Sequence, residues 1–140
     1  MDAIRIATSG LDVEWQRLQI VAQNLANMNS TRNENGEVYR PLALVSGADA
    51  SFGAMVDSSR LVPTGVRVVG IEQQTGGLRR VYEPNHPHAD AEGFVSYPNV
   101  DHAAEMTLMI KTSRAYEANL VTVSVAQQMY LHALDIGRQS

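Results

Sequence analysis

The sequence predicts an α+β fold, with long N- and C-terminal helices carrying coiled-coil seams around a β-rich middle insert. Three observations predict it. Apolar residues recur at alternating three- and four-residue steps near both ends of the chain. Between residues 30 and 101 that period gives way to short β-branched runs. The same middle stretch holds eight of the ten glycines and all five prolines. The expected division is therefore a helical part, 1–29 plus 102–140, and an insert, 30–101, with a flexible loop at about 46–62.

The first seam runs through Ile4, Ala7, Leu11, Glu14, Leu18, Val21, Leu25 and Met28, seven of the eight apolar. Ser9-Gly10 interrupts it in one of two ways. Ser9 caps a helix that begins there, or the pair forms a small-residue patch where another backbone approaches closely. Asn24, Asn27 and Asn29 mark a helix end, because Asn is a poor helix former. Their amides either cap the helix or hydrogen-bond to a neighbouring chain.

The second seam runs through Met109, Ser113, Tyr116, Leu120, Val123, Gln127, Tyr130 and Leu134. Asp101 is placed to cap its start, and Gly137 with Arg138 to end it. At 1.5 Å per residue this helix is about 50 Å long and the first about 35–40 Å, an overhang of roughly ten residues. The excess apolar surface needs cover from the insert or from other chains.

Within the insert, 65–72 and 78–82 read as strands joined by a hairpin-length loop over 73–77. Residues 39–45 form a third candidate, which Pro41 confines to an edge, and Phe94–Tyr97 is a short extended stretch.

The totals narrow the function classes. A net charge of −4, with a single lysine, Lys111, does not favour nucleic acid. Without cysteine there are no disulfides or thiolate metal sites. No apolar run is long enough to span a bilayer, and Met1–Leu11 lacks the basic and apolar regions of a cleavable signal, so neither is expected. Phosphate-loop and nucleophile-elbow motifs are missing from the sequence. One cluster, His86, His88, Asp90 and Glu92, has metal-ligand chemistry and would serve a small metal-dependent enzyme. Its competing reading is a solvated turn shaped by Pro87, Asp90 and Gly93. No cofactor is expected.

Several blocks then carry a resemblance. Val81-Tyr82-Glu83-Pro84-Asn85-His86-Pro87, Gly93-Phe94-Val95, Tyr97-Pro98-Asn99-Val100 and Ser113-Arg114-Ala115-Tyr116-Glu117-Ala118-Asn119 resemble segments of the flagellar basal-body rod proteins. Within that family the resemblance is to the proximal rod proteins. Ser9-Gly10-Leu11, Gln16-Arg17-Leu18 and Asn24-Leu25-Ala26-Asn27 are similar to the N-terminal signature of rod and hook proteins. The likeness covers both ends and the second half of the insert.

The resemblance implies terminal helices packed as an inner coiled-coil layer, with the insert outside. It further implies a structural subunit of a helical rod across the bacterial periplasm, exported without a cleaved signal. Its implied partners are other proximal and distal rod subunits, the rod-to-MS-ring adaptor and the export apparatus, with no membrane insertion. The residues expected at subunit interfaces are Leu11, Leu18, Val21, Asn24, Leu25, Asn27, Tyr116, Asn119, Leu120, Val123, Tyr130 and Leu134. A self-contained helical adaptor that binds one partner helix is the alternative from a different class.

Overall fold

Helix α1 spans Asp2–Asn27 and helix α2 spans His102–Arg138, and four short strands lie between them in sequence. The computed structural model describes residues 2–49 and 64–138. Strands β1 (Leu42–Ala48), β2 (Val66–Gln73), β3 (Arg79–Tyr82) and β4 (Phe94–Tyr97) form two separate antiparallel pairs, β1 with β2 and β3 with β4.

The hairpin expected between 65–72 and 78–82 does not form. Strand β2 pairs back with β1 instead, in a register that sets Leu44 opposite Ile71 and Ser46 opposite Val68, with a bulge between Val45 and Ser46. The reason lies on α1, which carries a second apolar stripe beyond its seam. Val13 and Ile20 on that stripe form the core with Leu44, flanked by Leu42 and Val68. Pairing β1 with β2 brings these strand residues over the helix and buries them together. Strand β1 begins just after Pro41, and the loop expected from about 46 is strand through Ala48. The rest of that loop, 50–63, lies outside the described residues.

Strand β3 pairs with β4 in the register Val81 opposite Val95 and Tyr82 opposite Phe94. The connecting turn is organised by Asp90. Its Oδ1 accepts from the Glu92 and Phe94 amides at 3.0 and 2.9 Å. Gly93 has φ +84°, and a Cβ there would come within 2.9 Å of Tyr82 Cε2, so glycine is required on both counts. The guanidinium groups of Arg79 and Arg80 lie over the Tyr97 and Phe94 rings at 5.2 and 4.8 Å.

Helix α2 starts as expected, with the Ala104 amide donating to Asp101 Oδ1 at 3.0 Å. It runs to Arg138, at the Gly137–Arg138 end expected. The helices pack antiparallel, with Asn24 beside Glu105, Gly10 beside Asn119, and Ala3 and Ile4 beside Ala126, Met129 and Tyr130. With 26 residues in α1 and 37 in α2, the whole excess falls at one end, and residues 128–138 run on past Asp2.

Candidate assembly surface

The two helices meet in layers seven residues apart. Asn24 faces Glu105, Arg17 and Thr112 line one cleft, Gly10 lies against Asn119, and Ala3 and Ala126 share another cleft. Polar or small residues occupy every layer, which brings the helices close without a leucine seam. At Gly10 an added Cβ would stand 2.8 Å from Asn119 Nδ2. Of the two readings of Ser9-Gly10, the close approach holds, but a backbone comes near only at Ser9, and the neighbour of Gly10 is the Asn119 side chain. The helix runs unbroken through both residues, and Ser9 Oγ accepts from the Val66 amide at 3.0 Å.

Asn24 is the hub that ties the insert to the helices. Its Oδ1 accepts from the Leu42 amide at 2.9 Å and from the Tyr39 hydroxyl at 2.8 Å. Its Nδ2 donates to the Leu42 carbonyl at 2.8 Å and to Glu105 Oε1 at 3.1 Å. Gln74 Nε2 donates to the same two acceptors at 3.3 Å. Burial, and after it the charge of Glu105, pushes the Tyr39 hydroxyl above its ordinary range. Glu105 sits in the first turn of α2, where a carboxylate is favoured by the helix dipole.

The apolar side chains of α2 point elsewhere. Its only fully buried residues are Glu105 and Thr112, whereas Met106, Ile110, Leu120, Val121, Val125, Met129 and Leu131 are all exposed. From residue 120 onward the exposed apolar positions lie all round the outer circumference. A helix apolar on every side is one meant to be buried. No helix among the described residues is long and apolar enough to cross a membrane.

The residues expected at interfaces divide accordingly. Leu120, Tyr130 and Leu134 are exposed, Leu120 by 53%. Leu11, Leu18, Leu25, Asn27, Tyr116, Asn119 and Val123 are half-buried. Tyr116 stacks at 6.4 Å on Trp15, and Asn27 Nδ2 donates to the Gln23 carbonyl at 2.9 Å. Val21 and Asn24 are each 1% exposed within the single chain. Their surfaces are already consumed by α2 and by the start of β1. Sequence reasoning missed Glu105, Thr112 and the Arg17 layer. Their seven-residue spacing was the available signal, hidden because the residues are polar.

The His86–Glu92 turn is spent on its own geometry. His86 Nδ1 accepts from the His88 amide at 3.0 Å, and His88 Nδ1 shares a 2.7 Å hydrogen bond with Thr31 Oγ1. Asp90 Oδ2 takes the Arg80 guanidinium. Among the described residues no group of three His, Cys, Asp or Glu side chains converges as a metal site.

Two family profiles match the chain at the two ends that build the helical layer. Residues 4–33 match the family described as flagella basal body rod protein. Residues 91–136 match that described as flagellar basal body rod FlgEFG protein C-terminal. The fold and these segments define a rod-type protein of the flagellar basal body.

Full-length relatives narrow the class. The flagellar basal-body rod protein FlgC of Escherichia coli O6:H1 is 36% identical over 133 residues, covering 95% of this chain and 94% of the relative. FlgC of Bacillus subtilis is 33% identical over 145 residues, covering 97% of each. FlgC of Borreliella burgdorferi is 31% identical over 144 residues, covering 96% and 95%. The chain belongs to the FlgC family of flagellar basal-body rod proteins, structural subunits of the rod.

Proposed function

We propose that this chain is a proximal-rod subunit that self-assembles into a helical axial structure and transmits torque by packing alone, with no catalytic role. One observation carries the reading: α2 leaves its apolar surface uncovered while burying polar residues against α1. A surface of this kind, repeated on every copy, makes heterologous contacts, and heterologous contacts that do not close build helical filaments. Leu11, Leu18, Leu25, Asn27, Tyr116, Asn119, Leu120, Val123, Tyr130 and Leu134 are the residues of this chain we assign to those contacts. The partners are other proximal and distal rod subunits, the adaptor that joins rod to MS ring, and the export apparatus that delivers the chain into the periplasm without a cleaved signal.

Leu120→Asp tests the reading. An unpaired charge desolvated at an interface costs about 3–5 kcal/mol. An exposed substitution in the free subunit changes stability by less than about 0.5 kcal/mol. Rod assembly, scored by swimming and by recovery of intact basal bodies, is expected to fail while the purified subunit melts as the parent does. Normal rods in the Leu120→Asp strain would remove the reading.

A further inference from the structure

A second feature of the helix pair points to what one neighbour brings. A cleft of about 230 Å³ opens between α1 and α2, lined by Glu14, Arg17, Leu108, Lys111, Thr112 and Ala115. Two donors there, Thr112 and Lys111, lack a partner, and a third is met only imperfectly. Thr112 is 1% exposed, yet its hydroxyl has no hydrogen-bond partner. This is unusual within the molecule, because Thr8, Thr107 and Thr122 each donate to the helix carbonyl four residues back. Arg17 Nε is buried 3.2 Å from Glu14 Oε2 but without the alignment of a hydrogen bond. Lys111, the one lysine of the chain, is exposed and makes no ion pair among the described residues. With Glu14 already held by Arg17, the lining has one net positive charge and unused donors.

We propose that this cleft receives a carboxylate side chain from a second copy of this chain, so that assembly pairs Lys111 and satisfies Thr112. The proposal rests on the rod-subunit reading above. Ligand chemistry follows from the donors: a hydroxyl and an ammonium, beside a guanidinium already paired with Glu14, together suit a carboxylate oxygen. The source follows from α2 itself. Glu117 is exposed on the same helix, six residues on, about 9 Å along the axis and about 120° around it. Lys111 and Glu117 therefore occupy different sides of α2. Joining one side to the other between copies is a heterologous contact, the type that propagates.

The single lysine makes the test selective. Basal bodies containing the chain are treated with a carbodiimide, which condenses an amine with a carboxylate touching it into an amide and itself takes up the water. The expected product is a species at twice the 15.3 kDa of one chain. Peptide mass spectrometry should place the bond between Lys111 and Glu117 or another acid of the second copy. It should vanish in Lys111→Arg, whose guanidinium is not coupled. Basal bodies that contain the chain but give no such bond, a bond only to Glu14 of the same chain, or one to a different polypeptide would overturn the proposal and leave the rod reading standing. Basal bodies that lack the chain would take down both.

A second measurement uses incorporation into basal bodies. Lys111→Glu is expected to lower it about tenfold or more, and Lys111→Arg to keep it within about twofold. Equal loss in both variants, or none in Lys111→Glu, counts against the carboxylate. Circular dichroism of the purified variants checks that the exposed substitution leaves the helices intact.

Discussion

Helices α1 and α2 have similar apolar content and opposite habits. Helix α1 buries Ala7, Val13, Ile20 and Val21 within its own chain, using one stripe against α2 and another beneath the β1–β2 pair. Helix α2 buries Glu105 and Thr112 and turns Ile110, Leu120, Val121, Met129 and Leu131 outward. The contrast teaches that apolarity and burial part company when a chain is one piece of a larger object. The folded subunit is held by α1, and on the reading proposed above the assembled one is held by α2.

The sharpest way to break this comparison is Asn24→Ala. It takes the acceptor from the Leu42 amide and the Tyr39 hydroxyl and leaves Glu105 with only the 3.3 Å bond from Gln74, and should destabilise the purified subunit by about 3 kcal/mol in denaturant melts. A change under about 1 kcal/mol would mean α1 does not anchor the fold as described. Gly10→Val should cost less, about 1–2 kcal/mol, because the crowding against Asn119 outweighs the gain in helix propensity. Adding Asn119→Ala should recover most of that loss, and a double-mutant cycle reads the coupling directly.

The smallest effect belongs to the outer hairpin. The Phe94 amide, and after it the Arg80 guanidinium and the Glu92 amide, hold the Asp90 carboxyl below its ordinary range. A depressed carboxyl adds stability above its ordinary value, and that increment is lost as pH falls below about 4. The Phe94 and Glu92 amide resonances should shift in that window while those of α1 and α2 stay put. In Asp90→Asn the acid-dependent shift should disappear.

Much of this architecture was legible in the sequence. Both helices, the Asp101 cap and the extended stretch over Phe94–Tyr97 follow from period and local chemistry. The strand partners did not. Residues 65–72 precede a loop of hairpin length, and only the Val13 and Ile20 stripe, at long range, decides that β2 turns back to β1. The α2 seam was misread at alternate positions. Apolar period selects Ser113, Leu120 and Gln127, whereas the side facing α1 uses Thr112, Asn119 and Ala126. Interface residues are legible by their apolarity only if one knows which faces the chain itself covers, and that is a property of the fold.

The layered contact between the helices also works as an alignment code. Amide meets carboxylate at one level, guanidinium and hydroxyl line a cleft at the next, glycine meets amide at the third and two alanines line a cleft at the last. A uniform leucine seam tolerates sliding by a whole heptad, since every layer looks alike. Here a slip of seven residues would set Asn24 against Thr112 and leave the buried Glu105 without its amide donor, at a cost that grows with each mismatched layer. One height of α2 against α1 is thereby selected. The distance by which Leu131 and Leu134 project beyond Asp2 is then a fixed dimension of the part, as the length of a tenon is fixed before the joint is made.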